Sequence, residues 1–194
     1  DFIFHKVFSN LVISPDFYKR KIKKTTFKQV GPIVRNGFTS NKIKKNNRIA
    51  FMLSGSSFGT NVNFEGYDFP FKIDVIGKTS KSNKNKNIIF HGKIKNTKKI
   101  LEKADFVIIN GGFSAVCETF CLRKPMIIIP VPNHAEQWVN AKKIESLGIG
   151  KIANEKNYIS LMINFYNEID KFNHNYTKLP ETSNGALEAS KLIM

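Results

Sequence analysis

Five short, largely apolar runs constrain the fold of this chain more than any other feature. Each ends in a loop that begins with or contains glycine, proline or serine. The runs span residues 49–53, 71–76, 88–90, 106–109 and 126–129. Strands of this kind are typical of a parallel sheet that is covered on both faces. Helical patterns at 96–104 and 114–122 separate the later runs, and one at 135–147 follows the last run. This alternation predicts a Rossmann-like α/β domain with helices on both faces of the sheet.

The two ends of the chain add further elements. Apolar residues at helical spacing predict one helix over 158–172 and a last helix over 184–193, and residues 11–14 read as a short strand. The crossover between the first two runs of the sheet is the weakest part of this pattern, since residues 58–66 are poor helix formers.

The charge of the chain is strongly positive. Its 31 Lys and Arg residues against 15 Asp and Glu give a net charge of +16, which suggests an anionic partner. Lysines alternating with asparagines, as in residues 81–87, fit a compositional bias and a solvated face equally well. The aromatic and basic patterns of RNA-recognition modules are not evident, so no specific nucleic acid is expected.

The sequence gives no support to several other classes of protein, namely membrane-spanning, secreted and zinc-binding proteins. No apolar run approaches the roughly 18 residues of a membrane-spanning helix, and the first residues lack a signal-peptide pattern, so a cytoplasmic location is expected. Cys117 and Cys121 stand four residues apart, but two thiols do not complete a zinc site. No metal and no cofactor are expected.

The loop after the fourth run has the strongest chemical signal. Gly111 and Gly112 let the backbone approach a ligand without side-chain interference. A helix that begins at Phe113 or Ser114 would direct free N–H groups and a partial positive charge at a phosphate. Glu118, one turn further along, could accept hydrogen bonds from two adjacent hydroxyls, as on a ribose. The alternative for Glu118 is a carboxylate stabilised by the helix dipole.

A second set of polar residues follows the next run, so it lies at the same edge of the sheet. Asn133 could cap the helix that begins at His134 or Ala135. Glu136 and Gln137 would face the cleft, and an acid beside an amide suits a sugar, whose hydroxyls both donate and accept. Asn140 is either a further ligand contact or a packing residue.

The loop of residues 54–59 is a third candidate at this edge. It matches neither the P-loop nor the dinucleotide-binding pattern. The Ser56 hydroxyl could contact a phosphate, and an ordinary strand-to-helix turn is the alternative. No nucleophile and base stand out, although His91 and His134 also lie at the predicted ligand edge.

The ordered residues from Ala104 to Gly150 resemble the C-terminal domain of GT-B glycosyltransferases. The resemblance rests on Ala104-Asp105, an apolar strand, Gly111-Gly112-Phe113-Ser114, Glu118, Lys124-Pro125, a second strand, Glu136-Gln137 and Asn140-Ala141. It is strongest to peptidoglycan-precursor N-acetylglucosaminyltransferases and to related archaeal and bacterial glycosyltransferase-like proteins. UDP-glucuronosyltransferases share a similar signature.

The resemblance implies a nucleotide-sugar donor, a UDP-sugar, at the sheet edge. Gly111, Gly112, Phe113 and Ser114 would hold the diphosphate, Glu118 the ribose, and Glu136 and Gln137 the sugar. Ile94 would read uracil through its backbone, Ser56 falls at the family's glycine-rich loop, and Arg35 matches a phosphate-contacting arginine. The loop around Ser56 has fewer glycines than in the family, and the helix after it is shorter.

The resemblance also implies a division of the chain. Residues 1–30 would be the tail of an N-terminal acceptor domain, 31–47 a linker, and 48–194 the donor-binding domain. The family's catalytic base is expected in the N-terminal domain, so this chain alone is expected to be inactive. The acceptor is unknown. A lipid-linked acceptor and peripheral contact with an anionic membrane are hypotheses. Alternatives are a UDP-sugar 2-epimerase-like enzyme and a non-catalytic module that binds nucleotide sugars or anionic polymers.

Overall fold

The computed structural model describes residues 10–17, 26–38, 45–52, 64, 66–77 and 85–194. Within these ranges the chain forms parallel strands and short helices. The strands are β1 (Val12–Pro15), β2 (Phe27–Val30), β3 (Arg48–Met52), β4 (Lys72–Ile76), β5 (Ile88–Gly92), β6 (Phe106–Ile109), β7 (Met126–Ile128) and β8 (Gly150–Ile152). The helices are α1 (Lys98–Lys103), α2 (Phe113–Cys121), α3 (Ala135–Ser146), α4 (Tyr158–Asn167), α5 (Ile169–Thr177) and α6 (Gly185–Ile193).

The chain divides into two compact units, of which the smaller comprises Asp1–Phe38 and Pro180–Met194. In it β1 pairs parallel with β2, and α6 packs against β2. The Glu188 carboxylate accepts a hydrogen bond from the Gly31 N–H at 2.7 Å. The strand predicted at 11–14 and the helix predicted at 184–193 are therefore present, each within one residue of its expected position.

The larger unit, Thr39–Leu179, contains a six-stranded sheet. Its strand order is β5-β4-β3-β6-β7-β8 and every pairing is parallel. The Rossmann-like parallel sheet is thus confirmed. The chain leaves β3 toward one edge and later returns to place β6 on its other side, so the order reverses between β3 and β6. Ligands of open α/β sheets bind at such a switch point, beyond the carboxyl ends of the strands.

Helices cover the sheet because its strands are apolar on both sides. One face carries alternate residues such as Ile49, Phe51 and Ile73, which belong to one buried core cluster with Met162 of α4 and Phe172 of α5. The other helices also contact the strands: α1 contacts β3, α2 contacts β6 and α3 contacts β8. No helix in the described ranges is long and apolar enough to cross a membrane.

The expectation of one helix over 158–172 is wrong. The helix breaks at Glu168, whose backbone (φ −101°, ψ 10°) ends α4 and starts α5. Phe165 and Phe172 stack across the break with ring centroids 3.9 Å apart, so the apolar pattern continues through it. Strands β2 and β8 were not predicted. The crossover of residues 58–66 lies mostly outside the described residues.

The unit boundaries fall at 38/39 and 179/180. The divisions 1–30, 31–47 and 48–194, which the resemblance implies, stay a prediction. Residues 180–194 group with the N-terminal strands because α6 packs on β2.

Candidate functional site

A glycine turn follows β6 at the carboxyl edge of the sheet, next to the switch point. Gly111 has φ +94°, and a Cβ there would lie 2.8 Å from Ile128 Cγ2 and 3.2 Å from Gln137 O. Both the conformation and the lack of space require glycine at this position. A Cβ at Gly112 would have no neighbour within 4 Å. The backbone is therefore tightly packed at Gly111 and open at Gly112.

Helix α2 begins at Phe113, as the sequence predicted. Its N-cap residue is Gly112, which offers no side chain to the first amides. The first bond back along the helix runs from Val116 N to Gly112 O at 3.1 Å. The N–H groups of Ser114 and Ala115 precede that bond, as the first amides of any helix do. Together with the helix dipole they form an environment suited to an anion.

Glu136 lies directly at this helix start. It belongs to the first turn of α3, and its Oε1 accepts a hydrogen bond from the Phe113 N–H at 3.2 Å. The residue is exposed. The structure thus brings together two segments that the sequence separates by more than twenty residues, and it places a carboxylate next to the glycine turn.

Gln137 and Asn140 turn inward from the same helix. Both are buried. Gln137 Oε1 accepts a hydrogen bond from the Val131 N–H at 2.9 Å, which leaves the amide NH₂ as the group that could donate to a ligand. Asn140 Nδ2 donates to Gly111 O at 2.9 Å. These contacts hold the loop after β7 and the glycine turn against α3.

Glu118 and Ser114 occupy different environments on α2. Glu118 is buried one turn after the helix start, with 7% of its surface exposed, and Ser114 is exposed. The expectation that Asn133 caps α3 is wrong. Asn133 adopts a left-handed backbone with φ 62°, and His134 is the N-cap residue, with no side-chain cap.

The other predicted residues belong to different segments of the chain. Ile94 is half-buried, two residues beyond β5. Arg35 belongs to the smaller unit, where its guanidinium carbon lies 5.1 Å from the centroid of the Phe38 ring. Ser56 lies outside the described residues.

Sequence reasoning missed a charged cluster on β3, β4 and β5. Asp74 is buried within its strand. It accepts hydrogen bonds from Arg48 Nε and, at 3.0 Å, from Arg48 Nη2. His91 Nε2 lies 2.7 Å from Asp74 Oδ1. An aspartate inside an apolar run was the available signal, since a buried carboxylate requires partners.

The environment of Asp74 sets its ionisation. Burial alone would raise the pKa of its carboxyl, but the hydrogen bonds donated by Arg48 and His91 outweigh burial, and the pKa lies below its ordinary value. In the described part of the chain no group of three or more His, Cys, Asp or Glu residues could hold a metal ion. Cys117 and Cys121 are buried free thiols, and burial raises the pKa of Cys117.

The chain is similar to known proteins in sequence and in fold. The profile of the family described as "Glycosyl transferase family 1" matches residues 4–169. The chain belongs to glycosyl transferase family 1. Its resemblance to GT-B glycosyltransferases is thereby confirmed.

Two curated relatives match parts of this glycosyl transferase family 1 chain. An uncharacterized glycosyltransferase of Methanopyrus kandleri is 35% identical over 57 residues, which are 29% of this chain and 17% of the relative. The UDP-N-acetylglucosamine–N-acetylmuramyl-(pentapeptide) pyrophosphoryl-undecaprenol N-acetylglucosamine transferase 2 of Bacillus cereus is 32% identical over 99 residues, 49% of this chain and 28% of the relative.

Solved structures share the fold at lower identity. The glycotransferase of kitacinnamycin has a TM-score of 0.65 and 18% identity, over 95% of this family 1 chain and 54% of that chain. The spinosyn rhamnosyltransferase SpnG, complexed with thymidine diphosphate, has a TM-score of 0.61 and 10% identity, over 90% and 54% of the two chains. The chain thus spans about half the length of these structures.

Proposed function

We propose that this chain is the donor-binding half of a glycosyltransferase, and that its donor is a nucleotide sugar, specifically a UDP-sugar. The observation that carries the proposal is the start of α2 after the Gly111–Gly112 turn, beside the switch point of the sheet. Open backbone at Gly112 and the first amides of the helix suit a diphosphate. The B. cereus relative is named for UDP-N-acetylglucosamine, and the SpnG structure contains thymidine diphosphate.

The side chains around this turn suggest how the parts of the donor would bind. Glu118 follows the proposed phosphate seat by one turn of α2 and is proposed to accept hydrogen bonds from the ribose hydroxyls, as the family resemblance implies. Glu136 and the amide NH₂ of Gln137 approach from α3 and suit the hydroxyls of the sugar. Ile94 would contact the base through its backbone. Arg35 and Ser56 are proposed as further phosphate contacts on the resemblance alone.

The proposal is tested by calorimetric titration with UDP, UDP-N-acetylglucosamine, GDP and ADP. We expect uridine nucleotides to bind selectively, and Glu118→Ala to weaken them by about tenfold through loss of a charged hydrogen bond to ribose. Glu145→Ala is the matched control, because Glu145 is also a helical carboxylate of the larger unit that accepts from a backbone N–H, that of Ile152 at 3.4 Å. Failure of the wild-type full-length protein to bind any of these nucleotides would refute the proposal.

For the whole protein we propose sugar transfer with inversion, catalysed by a base supplied outside this chain. The described residues of the site offer binding groups, and this chain by itself is proposed to bind the donor without transferring its sugar. Release of UDP from UDP-N-acetylglucosamine by residues 1–194 alone, at the rate of the full-length protein with its acceptor, would contradict this division of labour.

Peripheral contact with an anionic membrane is proposed on the net charge of +16. Lys93, Lys95 and Lys99 are exposed around the start of α1, and a basic surface is attracted to anionic lipids. Sedimentation with neutral and with phosphatidylglycerol-containing vesicles tests the contact. Equal binding to the two vesicle types would remove it.

A further inference from the structure

The buried amide of Asn140 fixes the orientation of one peptide in the glycine turn. Asn140 Nδ2 donates to Gly111 O at 2.9 Å from a side chain that is 6% exposed. The Gly111 carbonyl therefore points toward α3. In a trans peptide the C=O and the following N–H point in opposite directions, so this contact turns the Gly112 N–H away from α3.

The orientation matters because glycine imposes little preference of its own on the peptide that follows it. Gly111 has φ +94°, and glycine reaches several regions of backbone space at little cost. The peptide on its C-terminal side carries the N–H of Gly112, a half-buried residue whose Cβ position has no neighbour within 4 Å. An external hydrogen bond to the carbonyl is the physical means of keeping that N–H in one direction.

We propose that Asn140 is a positioning residue, which holds the Gly111–Gly112 peptide so that the Gly112 N–H donates to a phosphate oxygen of a nucleoside diphosphate. The inference rests on the proposed donor site. It makes Asn140, which does not itself touch the ligand, responsible for the orientation of a peptide that binds the diphosphate. A preset donor binds a phosphate more tightly than one that must first be ordered, because the ordering cost is already met.

The chain contains a matched control for this contact. Asn175 of α5 donates from Nδ2 to Gly148 O at 2.7 Å, and Gly148 also has a positive φ of +68°. Gly148 follows the C-terminal end of α3, whereas Gly111 lies beside its N-terminal half. The two asparagines therefore make the same contact to a left-handed glycine, and Asn140 alone makes it at the glycine turn.

The experiment compares Asn140→Leu and Asn175→Leu in the full-length protein. Leucine is neutral and similar in size to asparagine but cannot donate. Dissociation constants of UDP and UDP-N-acetylglucosamine are measured by calorimetry, and that of uridine by ligand-observed NMR. We expect Asn140→Leu to weaken UDP and UDP-N-acetylglucosamine equally, by about tenfold, the contribution of one well-placed charged hydrogen bond. Uridine binding stays unchanged, and Asn175→Leu alters none of the three.

Three results would overturn the inference. Equal weakening of uridine would show a general structural role. Weakening of UDP-N-acetylglucosamine alone would mean that Asn140 contacts the sugar directly. Unchanged binding of all three would show that the peptide needs no such support. Wild-type protein that binds none of the probes would instead refute the donor site itself, and the inference with it.

A second measurement guards against a variant that fails to fold. In the wild-type protein, the amide proton resonance of Gly112 is expected to shift on addition of UDP and to remain in place on addition of uridine. Asn140→Ala, which is smaller and leaves the helix free of strain, should lose that shift. If the Gly112 amide proton resonance of the wild-type protein does not shift on addition of UDP, the inference is overturned without any variant.

Discussion

At the scale of single residues, Glu136 occupies an unusual position for a group proposed to meet a sugar. Its carboxylate accepts a hydrogen bond from the first amide of α2, where a diphosphate is proposed to bind. Two anions at one helix start repel each other, and a partly exposed pair separated by a few ångströms still interacts appreciably. Glu136 must therefore release the Phe113 N–H when the diphosphate binds. If it keeps this contact, its negative charge weakens diphosphate binding.

Glu136→Gln removes the charge while keeping an oxygen that can accept from the Phe113 N–H. We expect UDP to bind about threefold to tenfold more tightly, because a partly screened repulsion of this size is lost. Uridine should be unaffected, and UMP should show a smaller gain than UDP. Calorimetry at two salt concentrations provides the measurement, with Glu155→Gln on the exposed loop before α4 as the control. A gain that is the same for uridine and UDP would rule out repulsion as its cause.

Asp74 allows a prediction about stability and pH. Its folded-state pKa is depressed, so its contribution to stability is complete above the unfolded pKa of about 4 and is lost as pH falls through the folded value. Asp74→Asn should lower the free energy of unfolding at pH 7 by about 2 kcal/mol, because Arg48 and His91 lose the negative charge they share and one of its two acceptor oxygens.

The check is urea unfolding of both proteins from pH 7 downward. The difference between them should narrow in the acid range, below the ordinary aspartate pKa. Asp170→Asn, an exposed aspartate of α5, should cost little at any of these pH values. A difference between Asp74→Asn and the wild type that stays constant down to the lowest pH would contradict the ionic explanation.

At the scale of elements, two basic side chains donate hydrogen bonds to backbone carbonyls at or near the C-terminal ends of helices. Arg123 donates from Nη1 to Tyr176 O at 2.5 Å and from Nη2 to Leu179 O at 3.2 Å. Lys124 donates from Nζ to Glu102 O at 2.8 Å, near the end of α1. Burial lowers the pKa of Lys124. Carbonyls at helix ends lack partners within the helix, and cations there also complement the dipole.

Arg123→Met should therefore destabilise the larger unit by about 1 to 2 kcal/mol, since two carbonyls lose charged donors. The midpoint of thermal unfolding measures the effect. Lys171→Met is the control, because the exposed Lys171–Glu168 pair, at 3.8 Å, should contribute less than about 0.5 kcal/mol. Equal losses for the two variants would contradict a capping role for Arg123.

Elements also show how far the sequence could predict this structure. Runs such as 106–109 and 126–129 were predictable because strands buried on both faces leave an unmistakable apolar signal. Strand β8 gave none, since it is three residues long and includes the exposed Lys151. The break at Glu168 was hidden because the phenylalanines on either side remain at helical spacing and stack on each other.

The candidate site was predictable in its segments and much less so in its contacts. The loops after the apolar runs identified the glycine turn and the Glu136-Gln137 pair, and the resemblance pointed to the same residues. The sequence did not indicate that the side-chain amides of Gln137 and Asn140 form hydrogen bonds with the backbone of neighbouring loops. Such contacts depend on the exact separation of α2 and α3, which is set by side-chain packing and leaves no periodic trace in the sequence.

At the scale of the whole molecule, the chain forms two units, and different helices pack against the strands of each unit. The larger unit, Thr39–Leu179, contains the six-stranded sheet and the glycine turn. Helix α6 contributes its contacts to β2 in the smaller unit. By contrast, α5 belongs to the core of the larger unit through Ile169 and Phe172, and its Tyr176 hydroxyl donates to Lys124 O at 2.9 Å.

This division predicts different outcomes for two fragments. Residues 39–179 should unfold cooperatively, because the sheet keeps both of its faces covered. They should still bind UDP, more weakly than the whole chain because the proposed phosphate contact of Arg35 is lost. Residues 39–167 lack α5 and should fail to fold, since Ile169, Phe172 and Tyr176 are each at most 3% exposed, and losing one large buried side chain already costs about 3 to 5 kcal/mol. Circular dichroism during heating, followed by calorimetry with UDP, provides the measurement. A 39–179 fragment that folds but no longer binds UDP would assign part of the donor site to the smaller unit, where Arg35 is the residue to test next.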